Sequence, residues 1–164
     1  MKKIVLLACL TALPLALTPP AWAVKPVRST ASFTSPPTVL DLCSFPVTLV
    51  SDNLIRETDF FDRHGDLTKV LLHVDERDTF TALGKSLTGS RYTFEIRVTF
   101  DDQGNVTHIF STGLNEKLTF PDGALFISAG RVDFAAHPGS VFLISPDVGV
   151  SGDLDAFCDF FADP

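Results

Sequence analysis

Four histidines and twenty acidic residues are the side chains here best suited to chemistry. An imidazole held by a carboxylate is the commonest general base. His73 and His108 fall inside β-patterned runs, so either imidazole, if turned inward beside Glu95 or Asp75, would be poised for proton abstraction. Strand alternation, however, puts Glu95 opposite Phe94 and Ile96, on the outer side. His64 and His137 sit at turn tips, where polar residues are ordinarily solvated. The run Asp101-Asp102-Gln103-Gly104-Asn105 offers several oxygens but lacks the twelve-residue spacing and closing Glu of a calcium loop. Asp and Asn also favour turns for their own backbone hydrogen bonds. Cys43 and Cys158 have no His nearby, and two thiols alone do not make a zinc site. No Gly-x-Ser-x-Gly elbow, phosphate-cradling Gly loop or His-Glu-x-x-His pair occurs. The sequence therefore assigns no catalytic residue, no metal site and no cofactor.

What remains is phenylalanine. The chain has fifteen, many of them at alternating positions. Phe94, Ile96, Phe100, His108, Phe110 and Phe126 are the expected lining of an apolar site inside a small β-barrel, whose interior either fills with side chains or holds one ligand. The competing expectation is a solid core built with Phe. A structural or interaction protein of the cell envelope, working through an edge strand or the N-terminal leader, is the third reading. An isomerase, cyclase or hydrolase built on an inward His is the enzymatic alternative to non-catalytic binding.

The elements that must position these residues read as an antiparallel meander. Phe61-Asp62-Arg63-His64-Gly65-Asp66 returns as Phe100-Asp101-Asp102-Gln103-Gly104-Asn105, each copy between two β-rich runs, which predicts two hairpins. Tyr92, Phe94, Ile96, Val98 and Phe100 alternate with polar residues, the period-two signature of a strand with one buried face. Further strands are expected over Phe45–Val50, Leu54–Phe61 after a turn at Asp52-Asn53, and Leu67–Asp75 with Thr79–Leu83. Others follow over Val106–Phe110, Leu118–Phe120, Leu125–Phe134 and Val141–Ile144. Pro121-Asp122-Gly123 and His137-Pro138-Gly139-Ser140 supply turns. Leu154, Phe157, Cys158 and Phe161 have helical spacing behind the caps Ser151 and Asp153. The predicted fold is all-β: about eight antiparallel strands in a closed or nearly closed barrel with a short C-terminal helix, or alternatively a β-sandwich.

The beginning of the chain has the form of an export signal. Lys2 and Lys3 precede an apolar run from Ile4 to Leu17, and Ala21-Trp22-Ala23 supplies a cleavage site. The expected division is a signal peptide over 1–23, a flexible Pro/Ser/Thr-rich leader over 24–40, and one β domain over 41–164. Cys9 comes too early for a lipoprotein site, and Pro14, Pro19 and Pro20 break any spanning helix. Cleavage removes Cys9 and leaves Cys43 and Cys158, an even pair that in an exported chain predicts one disulfide. Lys2 and Lys3 also leave, and the acidic balance deepens from its starting net charge of −7. Such a surface disfavours nucleic acid and anionic membranes. Expected partners are a small apolar ligand or an extracellular protein; oligomeric state is not legible.

Cys43-Ser44-Phe45-Pro46-Val47, Phe60-Phe61-Asp62-Arg63-His64-Gly65-Asp66 and Asp155-Ala156-Phe157-Cys158 together resemble small secreted actinobacterial proteins of unknown function. Those combine a signal peptide, a Cys-Gly-Phe-Pro-Val opening, a Phe-Asp-Arg-Asp-Gly-Asn turn and a late Cys. The resemblance runs from residue 43 to about 158, with Ser44, His64 and Asp66 departing from the pattern. It implies secretion and a disulfide-stapled β fold, and it brings no catalytic residues.

Overall fold

The computed structural model describes residues 24–137 and 146–162. The expected signal peptide and the expected strand over 141–144 lie outside the described residues. Nine strands form one antiparallel sheet: β1 (Val27–Thr34), β2 (Thr38–Leu40), β3 (Val47–Phe61), β4 (Leu67–Ala82), β5 (Lys85–Thr88), β6 (Tyr92–Phe100), β7 (Val106–Thr119), β8 (Leu125–Asp133) and β9 (Val148–Val150). The order is β1-β3-β4-β6-β7-β8-β9, with β2 beside β3 and β5 beside β4. All pairings are antiparallel, as a meander requires. Among the described residues β1 and β9 end the sheet without pairing to each other, so the sheet is not closed. Helix α1 (Leu154–Ala162) follows.

The recurrent motif makes the same corner twice. Asp62 Oδ1 accepts the N–H groups of His64 and Asp66, and Asp101 Oδ1 those of Gln103 and Asn105. Backbone bonds repeat too: Asp62 N–H to Asp66 O, and Asp101 N–H to Asn105 O. Gly65 and Gly104 take φ of 91° and 79°, a region open to glycine without strain. The Asp oxygens are thus consumed by turn geometry. A third copy of the backbone pattern closes β7 onto β8, where Phe120 N–H bonds Ala124 O and Gly123 N–H bonds Phe120 O.

Several boundaries differ from expectation. β3 and β4 are each continuous, because Asp52 and Asn53 pair with Arg77 and Glu76 instead of turning. Thr34 and Arg77 satisfy the Asp52 carboxylate at 2.8 and 2.7 Å, which makes a mid-strand Asp tolerable. The leader is also shorter than expected: Val27–Thr34 pairs along Asp52–Asp59 as an edge strand. Every β1 side chain is exposed, so no hydrophobic alternation marks it. Its Ser and Thr residues suit a solvated pleat.

One face of the sheet carries the core. Val47 and Leu49, Phe80 and Ala82, Leu118 and Phe126 are buried at one end, where α1 lays Phe157 and Phe161 upon them. Phe157 meets Phe80, Phe126 and Phe161 at ring separations of 5.2, 5.7 and 5.3 Å. Asp153 starts the helix by accepting the Ala156 N–H, as an N-cap should. Cys43 and Cys158 are disulfide-bonded with Cα atoms 5.6 Å apart, tying α1 to the connection between β2 and β3.

Candidate functional site

Two features of the inner face stand out: a buried group of carboxyls, and a groove beside α1. Alternation carries the inner face of β3 through Val47, Leu49, Ser51 and Asn53, and that of β4 through Val74, Glu76, Asp78 and Phe80. Register sets Ser51 opposite Asp78 and Asn53 opposite Glu76. Tyr92 lies across from Glu76 on β6. On β7 an irregularity between Leu114 and Glu116 leaves Asn115 unpaired and turns Glu116 inward opposite Ser128. Asp78 and Glu116 are entirely shielded from solvent, and Tyr92 nearly so. The link from β5 to β6 closes over them: Gly89 N–H bonds Asp78 O, and Ser90 N–H bonds Lys117 O. A Cβ at Gly89 would stand 2.7 Å from Lys117 O, so only glycine fits there without displacement.

Tyr92 Oη lies 2.8 Å from Asp78 Oδ2 and 3.1 Å from Glu76 Oε1. One phenolic proton serves one acceptor at a time, so the second contact calls for a protonated Glu76. Burial, then the neighbouring Asp78, push Glu76 up to about 8. Burial, again followed by Asp78, pushes Glu116 up to about 10. Burial also raises the Tyr92 phenol far above its ordinary value. Glu116 Oε1 accepts the Lys117 N–H at 2.7 Å. Asp78 Oδ1 and Glu116 Oε2 are buried with no N–H or hydroxyl partner, and the two side chains act on each other as hydrogen-bonding neighbours. A proton held between them satisfies both. No set of three or more metal-ligating side chains converges among the described residues. The cluster is a buried, hydrogen-bonded seam enclosed within the fold.

The groove lies at the helix end. Its volume is about 900 Å³, and its walls are α1 and the turn from β7 to β8. Phe120 and Phe160 line it, their rings 5.8 Å apart. Pro121, Ala124, Ala156 and Ala162 extend the apolar lining, while Lys85, Asp122 and Asp159 bring charge to it. Lys85 Nζ donates to Phe160 O at 2.8 Å and stands 5.5 Å from the Phe160 ring centre. Asp122 Oδ1 accepts the Ala124 N–H and so fixes the turn that forms one wall.

The six residues expected to line one site are dispersed. Phe94 and Ile96 share the inner face with Tyr92 but lie farther from the helix, and Phe100 ends β6 beside the second turn; all three are half-buried. Phe126 is core packing under Phe157. His108 and Phe110 face outward, because Ser111 takes the inward position on β7. Phe110 tolerates that face through its stack on His108 and the Arg131 guanidinium 4.0 Å from its ring centre. The expected inward His is therefore not formed by His108. His73 does stand across from Glu95, 3.9 Å apart, but both are solvent-exposed on the outer face. Arg63 Nε donates to the His64 ring at a turn tip. His137 bonds Asp147 at 2.7 Å, a pair that braces the approach to β9.

Reasoning from sequence missed both features. Parity back from Phe80 would have placed Asp78 and Glu76 inward, and parity back from Leu118 would have found Glu116. On the helix, Ala156, Asp159 and Phe160 share a side distinct from the core-facing Phe157 and Phe161. No protein-family model, no curated protein and no solved structure matches this chain.

Proposed function

We propose that this chain is an exported, non-catalytic binding protein whose ligand lies in the groove between α1 and the β7–β8 turn. The observation that carries this reading is the groove itself: about 900 Å³, lined by two phenylalanine rings, Pro121 and three alanines, with Lys85, Asp122 and Asp159 among them. That volume falls in the range of small-molecule sites, which are typically apolar with a few polar groups. The Cys43–Cys158 bridge supports the reading, since it holds α1, one wall of the groove, against the rest of the fold. A disulfide suits an oxidising, extracytoplasmic setting, which agrees with the export signal read at residues 1–23 and with the resemblance to small secreted proteins.

The test is a titration of residues 24–164 with N-phenyl-1-naphthylamine, an uncharged fluorophore that brightens in apolar surroundings. Saturable uptake by the wild type is expected. Ala156→Trp, a change at an exposed helix position that fills the groove, should abolish it while leaving the circular dichroism unchanged. Absence of uptake by the wild type, or equal uptake by Ala156→Trp, would overturn the proposal.

A further inference from the structure

Building on the groove as the binding site, we infer that its ligand is an organic cation: a compact apolar body carrying an ammonium or guanidinium group. The charges lining the groove point this way. Its one basic group, Lys85, bonds the Phe160 carbonyl at 2.8 Å and is outnumbered by two carboxylates. The two acidic groups differ in their commitments. Asp122 gives one oxygen to the Ala124 N–H and keeps the other for a ligand. Asp159 lies on the exposed side of α1, with no cationic partner among the described residues. Over the whole chain the net charge is −7, which draws cations and repels anions.

The apolar lining suits the same ligand class. Phe120 and Phe160 bring two aromatic rings to the groove, and ring faces attract cations within about 6 Å of their centres. Lys85 already stands 5.5 Å from the Phe160 ring centre. A ligand ring packing against Phe120, with its cationic arm reaching toward Asp159, would use the apolar surface and the charge together. An anionic ligand would meet two carboxylates against a single lysine. A neutral ligand would gain only the apolar contact.

Three naphthalene derivatives that differ only in the head group separate the possibilities. 2-(1-Naphthyl)ethylammonium, 2-(1-naphthyl)ethanol and 3-(1-naphthyl)propionate are titrated by calorimetry into residues 24–164 at pH 7 and low salt. The ammonium is expected to bind roughly 5- to 10-fold tighter than the alcohol, and the carboxylate more weakly than either. Added salt should narrow the ammonium–alcohol gap. Asp122→Asn/Asp159→Asn should reduce that gap to less than about 2-fold while leaving alcohol binding unchanged. Asn keeps the oxygen that accepts the Ala124 N–H, so the turn is preserved. Equal affinity for ammonium and alcohol, or preference for the carboxylate, would overturn the cation assignment and leave the groove proposal standing. If none of the three binds, the groove proposal falls and this inference falls with it.

Discussion

Glu116→Gln should stabilise this protein at neutral and alkaline pH. In the folded chain Glu116 keeps its proton up to about 10, because burial and then Asp78 oppose ionisation. In the unfolded chain it releases that proton near the ordinary glutamate value of 4.5. Between those limits the folded state binds more protons than the unfolded state, so stability falls as pH rises. Each pH unit costs about 1.4 kcal/mol for one such group. From pH 4.5 to 7 that amounts to roughly 3 kcal/mol for Glu116. Glu76, held near 8, adds a smaller loss over a narrower window, from 4.5 upward to about 8. Glutamine at 116 keeps an oxygen for the Lys117 N–H and gives a permanent N–H donor toward Asp78. Urea unfolding monitored by circular dichroism at pH 5, 6, 7 and 8 is the assay, with the m-value as a check that two-state behaviour persists. The wild type should lose stability steadily across that range. Glu116→Gln should lose less, and exceed the wild type by about 5 kcal/mol at pH 8. A wild-type stability that is flat or rises from pH 5 to 8 would refute the reasoning, as would a Gln variant weaker than the wild type at pH 8.

Further outcomes follow from the same contacts. Tyr92 is the only tyrosine, and its burial keeps the phenol from ionising; absorbance at 295 nm should show phenolate only as the chain unfolds, and a reversible transition near pH 10 with the fold intact would contradict this. Cys43→Ala/Cys158→Ala opens a loop spanning 115 residues and should cost about 4–5 kcal/mol in urea unfolding. Phe157→Ala empties the contact among Phe80, Phe126 and Phe161 and should cost about 3–5 kcal/mol by the same measurement. Below pH 4 stability should fall again, because hydrogen bonds hold the Asp62 and Asp101 carboxyls below their ordinary value. Their stabilisation is present above that value and disappears as falling pH protonates them in the folded chain; a stability unchanged from pH 4 to 2 would contradict it.

The repeated turns, the strand from Tyr92 to Phe100, the C-terminal helix and the cysteine pairing were legible because each is written in local chemistry: Asp and Gly at fixed offsets, period-two alternation, helical spacing, an even thiol count. β1 was not legible, since an edge strand with every residue solvated needs no apolar alternation. The continuity of β3 was hidden by Asp52-Asn53, a dipeptide with strong turn preference that long-range partners Thr34 and Arg77 hold extended. The carboxyl seam was hidden for a related reason. A buried Asp or Glu runs against the usual cost of burying charge, and hydrogen bonds from Tyr92, Ser51 and the Lys117 N–H help to make this one tolerable. Phe110 misled in the opposite direction, because an outward aromatic covered by Arg131 has the same alternation as an inward one. The groove joins residues 85, 120–124 and 156–162, a juxtaposition that pairing and packing create and local pattern does not record.

The most direct test of the binding proposal is amide chemical-shift mapping of ¹⁵N-labelled residues 24–164 titrated with N-phenyl-1-naphthylamine. Concentration-dependent shifts confined to Lys85, Phe120–Ala124 and Ala156–Ala162 are the predicted result. Shifts centred instead on Ile55, Leu72, Phe94 and Ile96, along the inner face of the sheet, would contradict it.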